Sequence, residues 1–217
     1  MAHRLYLTVH TLSPDAPGEI GALRRALAAS FPDPVNEVYL RELESASPAV
    51  TLTRLTALSL LPPLLKKAGI PPAAVLLSRD PAGRPYLTLP EGAGLADFNL
   101  SHSAGHVACA LWTGHGRVGV DIEEPVPAEK AGKLAQRFFS PGEQDMLRHL
   151  ARDVGIPTAF AAVWTAKEAL SKQDGRGGPL RFDASIPPPG IALRRAFPDS
   201  TGAVLTVCWP GDGIGSD

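Results

Sequence analysis

Residues 117–123 read RVGVDIE, in which apolar and other side chains alternate. A period of two is that of a β-strand, so the three apolar side chains share one face while Gly119, Asp121 and Glu123 share the other. The two carboxylates on that face repel each other unless a cation lies between them. Taken alone, the pattern is also compatible with a solvated edge strand that carries two ordinary acids.

A second stretch, 158-TAFAAVWTAKEALSKQ-173, has the composition of a helix, and Gly175 is placed to end it. Trp164, Glu168 and Lys172 recur every four residues and therefore lie on one stripe of that helix. Taken alone, they are a core tryptophan and an ordinary glutamate–lysine surface pair. Together with the two strand carboxylates, Glu168 completes a set of hard oxygen donors that Mg²⁺ prefers, with phosphate oxygens as further ligands.

The rest of the chain alternates short strands with helices. Strands are predicted at 5–9, 75–78, 86–89, 106–112, 117–123, 190–194 and 203–209, and helices at 18–30, from Asp33, from Ser47, and at 128–138, 141–152 and 158–173. Pro62-Pro63 prevents the third helix from running straight on to Lys67. Strands 106–112 and 117–123 are expected to form a hairpin across 113–116.

The order of these elements, strand then helices then strands, occurs twice. It predicts an α+β fold built of two similar halves, residues 1–113 and 114–217, each a small antiparallel sheet packed with helices. The second half would carry the acidic site. No residue-level repeat supports an internal duplication, which rests on element order alone.

Two further polar segments suggest local structure. The segment Asn99–His106 is expected to be a loop whose backbone donors form an anion nest for a phosphate, or else a polar turn with a capping histidine. Ser140-Pro141-Gly142-Glu143 has the pattern of a capping box, in which Ser140 and Glu143 satisfy the first backbone donors of a helix. A catalytic role of Glu143 is secondary to that explanation.

Charge and composition exclude some classes of protein. The 217 residues include 21 basic and 22 acidic side chains, a formal net charge of −1, which argues against coating nucleic acid or an anionic membrane through bulk charge. Cys109 and Cys208 lie in apolar runs, are expected to be buried thiols in strands, and fit a reducing cytoplasm. The longest apolar stretch, 55–65, is shorter than the ~20 residues of a membrane span, so a soluble protein is expected.

Four blocks in a fixed order resemble a known family. They are 98-FNLSHS-103, 119-GVDIE-123, 138-FFS-140 and 164-WTAKEA-169 followed by Lys172. These blocks resemble those of the 4′-phosphopantetheinyl transferases, and the larger Sfp type, which activates surfactin synthetase, fits best. The shorter, trimeric holo-synthase class has its Asp-x-Glu near the N-terminus. Here that motif follows a complete half, so the resemblance implies a pseudo-two-fold monomer.

The resemblance implies transfer of 4′-phosphopantetheine from coenzyme A to a serine of an acyl or peptidyl carrier protein, which converts the apo to the holo form and releases 3′,5′-ADP. Mg²⁺ on the pyrophosphate would be held by Asp121, Glu123 and Glu168. Lys172 would bind the pyrophosphate and stabilise the leaving group. Glu168, directly or through a metal-bound water, would take the proton of the incoming serine hydroxyl.

The same resemblance implies further coenzyme A contacts. His102, with Ser101 beside it, would contact the phosphates, and Gly83-Arg84-Pro85 would flank the adenine. Members of the family have several basic residues in the first half for the 3′-phosphate, whereas this chain offers mainly Arg41 and Arg54.

A docking surface for the carrier protein is expected near residues 130–139. Carrier proteins of this family are usually acidic in their docking helix, and the segment carries Lys130, Lys133, Arg137, Phe138 and Phe139. The alternative is an ordinary amphipathic helix.

Two other functions stay open at this point. Acid pairs with a lysine also serve Mg²⁺-dependent phosphodiester or nucleotide hydrolases. A non-catalytic module that binds coenzyme A or a carrier is the second alternative. The pathway served, whether fatty acid, polyketide or nonribosomal peptide synthesis, and the preference between Mg²⁺ and Mn²⁺ do not follow from the sequence.

Overall fold

The computed structural model describes residues 3–12, 19–45, 47–103, 105–175, 187–197 and 202–211. The chain divides into two compact units, Met1–Gly116 and Arg117–Asp217. Each unit combines helices with small antiparallel sheets, which confirms the α+β prediction.

The first unit is built on a three-stranded antiparallel sheet. Its strands, in spatial order, are β1 (Leu5–Thr11), β5 (His106–Trp112) and β4 (Asp97–Ser103). All seven residues of the central strand β5 are buried, Cys109 among them, as expected for an apolar strand between two neighbours. A separate hairpin joins β2 (Leu76–Arg79) to β3 (Pro85–Thr88) through the predicted turn at 80–83.

Four helices and a short 3₁₀ turn also lie in the described part of this unit. They are α1 (Ile20–Ser30), α2 (Pro34–Glu42), α3 (Pro48–Ser59), α4 (Leu61–Lys67) and the turn Pro72–Ala74. Helix α2 begins as predicted, because Asp33 accepts a hydrogen bond from the Val35 backbone at 2.8 Å. Buried Asn36 ties α2 to β2, since its amide donates to the Val75 carbonyl and accepts from the Leu77 N–H.

The predicted proline break separates α3 from α4. Pro62 and Pro63 fall in the first turn of α4, where a missing N–H costs nothing. The stretch Pro48–Lys67 is long and apolar enough, by length and composition, to cross a membrane, with a mean hydropathy of 1.2. Half of it is buried, and it supplies five leucines to the core of the first unit, as a core helix does.

The second unit has its own three-stranded antiparallel sheet. Its spatial order is β6 (Gly119–Glu123), β8 (Val204–Pro210) and β7 (Ile191–Ala196), with Cys208 buried in the central strand. Its helices are α5 (Ala128–Phe138) and α6 (Pro141–Asp174). The Thr165 and Thr206 hydroxyls, 2.7 Å apart, join α6 to β8.

Helix α6 covers the two predicted helices 141–152 and 158–173. Gly155 breaks it with a non-helical backbone conformation of positive φ (φ 77°, ψ 160°), so that α6 consists of a first segment, 141–154, and a second segment, 156–174. The capping box at its start is confirmed, because the Ser140 hydroxyl accepts from the Glu143 N–H and the Glu143 carboxylate accepts from the Ser140 N–H. Gly175 ends the helix in the left-handed conformation, as predicted.

Two predictions were wrong. Strands β5 and β6 do not form a hairpin, because β5 pairs with β1 and β4 while β6 pairs with β8. The glycine-rich connection between them crosses from one unit to the next. Residues 99–103 are not a loop but part of strand β4. An extended strand alternates the direction of its N–H groups, so these residues cannot form the predicted anion nest.

Candidate active site

Strand β6 and the second segment of α6 approach each other closely at Gly119. A side-chain Cβ at this position would lie 1.9 Å from the carbonyl oxygen of Ala169, a distance that only glycine avoids. Asp121 lies two residues further along the same face of the strand. The close approach therefore brings the Asp121 carboxylate next to the last turns of the helix.

Lys172 joins the helix to this strand. Its ammonium group donates to the Asp121 carboxylate at 2.7 Å and to the Val120 carbonyl at 3.1 Å. The Asp121 side chain is 6% exposed and that of Lys172 is 30% exposed. Sequence reasoning left open an ordinary surface pair of Glu168 with Lys172, but the lysine reaches across to the strand, which makes it part of a partly buried ionic cluster.

Glu168 lies in the same electrostatic environment. Burial raises the pKa of its carboxyl group, and the negative charge of Asp121 raises it further, while the ammonium groups of Lys172 and Lys167 lower it. The net direction is upward, so the protein disfavours the ionised form of Glu168. Asp121, Glu168 and Lys172, three of the predicted site residues, are thus brought together in the second unit.

The predicted metal site is only partly matched. Within the described residues, no group of three or more histidine, cysteine, aspartate or glutamate side chains has the arrangement of a metal site. Glu123 stands at the end of β6 and is partly buried. The donor chemistry of Asp121 and Glu168 nevertheless fits a divalent cation, because two mutually repelling carboxylates are the hard oxygen ligands that Mg²⁺ takes.

Trp164 belongs to the core rather than to this cluster. Its ring stacks on Phe160 with a centroid distance of 5.7 Å and meets Phe138 edge-on at 5.8 Å. With Phe139, these rings form an aromatic cluster between α5 and α6. The simpler explanation of the tryptophan, a core residue, is therefore the correct one.

Sequence reasoning missed a buried ion pair beside the site. The Lys167 ammonium donates to both carboxylate oxygens of Glu143 at 2.8 Å, and each side chain is only 1% exposed. Glu143 thereby both caps the first segment of α6 and fixes the second segment through Lys167. Since Lys167 precedes Glu168 directly, the pair fixes how the second segment is rotated about its axis, and with it the direction of the Glu168 side chain.

The first unit carries the other predicted contacts, and strand geometry separates two of them. Ser101 is buried and His102 is exposed, because neighbouring residues of β4 point to opposite faces. Arg84 makes a 2.6 Å ion pair with Asp97, and their side chains are 10% and 15% exposed. Its guanidinium group therefore stabilises the β3–β4 region, a structural role that the motif did not reveal.

The remaining candidates lie on turns and helix surfaces of that unit. Gly83 takes a left-handed conformation (φ 84°) in the β2–β3 turn, and Pro85 begins β3. Arg41 is exposed and pairs with Glu37 one turn earlier. Arg54 donates to the Leu43 carbonyl at 3.5 Å.

The residues of the expected docking surface differ in exposure. Phe139 is 6% exposed and stacked on Phe160, so it belongs to the core, whereas Phe138 is only partly buried. Arg137 is exposed and lies over the Phe138 ring at 5.0 Å. Lys133 pairs with the exposed Glu129 one turn earlier, the geometry of an ordinary amphipathic helix.

Gly119→Ala is expected to damage both stability and site. The added methyl group would overlap backbone atoms of α6, which cannot rotate away as a side chain can, so a loss of about 1–3 kcal/mol in the free energy of unfolding is expected. Chemical denaturation measures this loss, with Gly132→Ala as the control, because a Cβ at Gly132 meets nothing within 4 Å. Equal stability of the two variants would contradict the close approach.

The part of the chain that carries this cluster also matches a known protein family. Residues 117–197 match the model of the 4′-phosphopantetheinyl transferase superfamily. This range contains Asp121, Glu168 and Lys172.

Three curated relatives carry the same name. A Synechocystis protein, named provisionally as a 4′-phosphopantetheinyl transferase, is 33% identical over 149 residues, 69% of this chain and 58% of the relative. A 4′-phosphopantetheinyl transferase of Bacillus subtilis is 33% identical over 55% of this chain and 50% of the relative. HetI of Nostoc, another such transferase, is 35% identical over 50% of this chain and 45% of the relative.

The chain therefore spans 45–58% of the length of these relatives. The superfamily match and the relatives together support the 4′-phosphopantetheinyl transferase family. The Sfp protein of Bacillus subtilis is 39% identical over only 41% of this chain. This similarity supports the family but does not assign the chain to the Sfp-type subgroup.

Proposed function

We propose that this chain transfers the 4′-phosphopantetheine group from coenzyme A to a serine hydroxyl of an apo carrier protein. The observation that carries the proposal is the cluster of Asp121, Glu168 and Lys172, which lies inside the range that matches the transferase superfamily. A buried carboxylate, a second carboxylate with a raised pKa and an ammonium group are what a phosphoryl-type transfer at a pyrophosphate requires.

Glu168 is proposed as the base of this reaction. The serine oxygen attacks the phosphorus that carries the pantetheine arm, the bond to the 3′,5′-ADP oxygen breaks, and the serine proton passes to the Glu168 carboxylate. A raised pKa makes a carboxylate a better proton acceptor, because the best base has a pKa near the working pH. Burial and the charge of Asp121, the two causes of the rise, thus both favour catalysis.

Lys172 and Asp121 would act on the charge of the substrate. The Lys172 ammonium, held at 2.7 Å by Asp121 and still 30% exposed, can meet the negative oxygens of the coenzyme A pyrophosphate and of the 5′-phosphate that leaves with 3′,5′-ADP. Asp121 and Glu168, with Glu123 at the end of the same strand, would hold Mg²⁺. When bound, Mg²⁺ supplies Lewis-acid stabilisation of the phosphate oxygens.

The test is the intact mass of an apo carrier protein after incubation with the chain, coenzyme A and Mg²⁺. A transferase adds one phosphopantetheine group to the carrier and releases one 3′,5′-ADP for each group added. The matched controls omit the carrier in one reaction and replace Lys172 by alanine in another.

The outcomes separate the three candidate functions. Release of 3′,5′-ADP from coenzyme A in the reaction without a carrier would identify a hydrolase and contradict the proposal. Binding of coenzyme A with neither a mass gain nor product would indicate a non-catalytic binding module. A mass gain that the Lys172→Ala variant loses is the result expected here.

Several finer features belong to the same proposal. The carrier would be of the acyl or peptidyl type, and the enzyme would act as a cytoplasmic monomer of the Sfp type with two pseudo-symmetric halves. Sedimentation of the full chain tests the monomer, because a trimer would instead indicate the shorter holo-synthase class.

A further inference from the structure

The first unit contains a cavity of about 640 Å³ that the proposed transfer does not use. Its volume lies in the range of small-molecule sites, about 300–1,000 Å³. Four chain segments line it: the start of β1, the end of α4, the loop before β4 and the connection after β5.

The lining carries two basic side chains, Arg4 and Lys67. None of the described residues that line it is an aspartate or a glutamate. The side chains of Arg4 and Lys67 form no ion pair with any described residue. Arg84 of the same unit, by contrast, has its charge compensated by Asp97. Two uncompensated cations that line one concave site favour an anionic occupant.

One wall of the cavity is rigidly held. The Arg4 backbone exchanges hydrogen bonds with Thr113, since the Arg4 N–H donates to the Thr113 hydroxyl and the Thr113 N–H donates to the Arg4 carbonyl, each at 3.0 Å. The indole N–H of Trp112 donates to the His115 carbonyl at 3.1 Å. A Cβ at Gly114 would lie 2.6 Å from the Trp112 ring, so the turn requires glycine there.

Aromatic and apolar groups complete the lining. The His3 ring meets the Trp112 ring edge-on, with centroids 5.8 Å apart, and lies 6.1 Å from the His115 ring. Tyr6, Ile70 and Leu95 add apolar surface. A site with two exposed cationic side chains and an apolar wall suits an organic anion better than an inorganic one.

The cavity lies at the opposite end of the sheet from His102, the proposed coenzyme A contact. In the β4–β5 register, Asp97 pairs with Trp112 beside the cavity, whereas His102 pairs with Val107. Five residues of strand β4 separate the two ends, about 17 Å at ~3.3 Å per residue. The cavity is therefore distinct from the candidate phosphate contact on the same strand.

We propose that this cavity is a second binding site, for a small organic molecule that carries a phosphate group. Arg4 and Lys67 would bind the phosphate oxygens, and Tyr6, Ile70 and Leu95 would contact the organic part. The site belongs to the first unit alone and does not depend on the transfer reaction.

The test is a calorimetric titration of the full chain with phenyl phosphate, without coenzyme A or Mg²⁺. Lys67→Ala and Arg4→Ala should each weaken binding about fivefold or more, because each removes a charged hydrogen bond to the phosphate. Lys66→Ala is the matched control, since this lysine occupies the same helix turn but does not line the cavity. Inorganic phosphate should bind more weakly than phenyl phosphate.

Lys172→Ala distinguishes this site from the proposed active site and should leave the titration unchanged. Three results would each overturn the inference: no saturable binding up to about 10 mM, equal effects of Lys66→Ala and Lys67→Ala, or loss of binding in Lys172→Ala. None of the three contradicts transfer to a carrier, so the second site can fail while the proposed function stands.

Discussion

Glu168→Gln is expected to lose transfer activity while gaining thermal stability in the absence of metal. Removing a general base costs about 10²–10⁴-fold in rate. Glutamine has nearly the shape of glutamate but can neither accept the serine proton nor carry the charge that a divalent cation requires. The loss should therefore appear in kcat rather than in the affinity for the carrier.

The gain in stability follows from the raised pKa of Glu168. The folded state binds the carboxyl proton more tightly than the unfolded chain does, so protonation of Glu168 favours folding. This contribution to the free energy of unfolding is fully present below about pH 4, the range of an unperturbed glutamate, and is lost as the pH rises through the folded-state pKa. At neutral pH the ionised carboxylate thus lowers stability relative to glutamine. A rise in Tm of at most a few degrees is expected, since ~1 kcal/mol corresponds to about 2–4 °C at this size.

Thermal unfolding in a chelator measures this effect at neutral and at acidic pH. The difference between wild type and Glu168→Gln should shrink as the pH approaches 4. Glu129→Gln is the control, because Glu129 is 82% exposed and its removal should leave Tm unchanged. A glutamine variant with wild-type turnover, or with a lower Tm at neutral pH, would contradict the role of Glu168.

Lys167→Met is expected to be the most destabilising substitution in the second unit. It leaves the Glu143 carboxylate buried at 1% exposure without the ammonium group that now donates to both of its oxygens. Breaking a buried pair in this way costs about 3–5 kcal/mol, which corresponds to about 6–20 °C in Tm.

A double-mutant cycle separates the charge effect from the capping role of Glu143. Glu143→Gln keeps an acceptor for the Ser140 N–H but removes the negative charge. The double variant with both charges removed should be more stable than Lys167→Met alone, because neither charge is left buried. Lys133→Met breaks an exposed pair and should change stability by less than about 0.5 kcal/mol. Additive effects of the two buried substitutions would show that the pair is not coupled.

Much of the local structure could be predicted because its causes are local. Asp33 and the capping box at Ser140 act within a few residues, and the prolines at 62 and 63 end a helix wherever the chain goes next. The strand alternation at 117–123 placed Asp121 on the face that meets α6. Glu168 and Lys172 lay on the helix stripe that reaches it.

What failed was pairing between distant segments. The short glycine-rich connection at 113–116 has the length of a hairpin turn, yet β5 and β6 find partners in different units. The backbone groups at the edge of a strand form hydrogen bonds with whichever strand the fold of the unit places beside them. The local sequence pattern does not show which strand that is. The loop prediction for residues 99–103 failed for the same reason. Their small polar side chains suggested a loop, whereas each of these residues pairs with a residue of β5 in an antiparallel sheet.

The buried pair of Lys167 and Glu143 left a signal that was overlooked. Val163, Lys167 and Leu170 fall on one stripe of the second α6 segment, and a lysine between two buried apolar residues requires a buried partner. The identity of that partner did not follow, because Glu143 already had a complete local explanation as a cap. Gly119 was similar, since nothing local indicates that a helix backbone passes within 2 Å of its missing side chain.

The central claim is that the carboxylates of β6 and α6 act on one divalent cation. The direct measurement is a calorimetric titration of Mg²⁺ into the full chain with coenzyme A present, for wild type, Glu168→Gln and Glu129→Gln. Saturable binding in wild type and in Glu129→Gln, weakened about tenfold or more in Glu168→Gln, is the predicted result. The same Mg²⁺ affinity in all three proteins would contradict it.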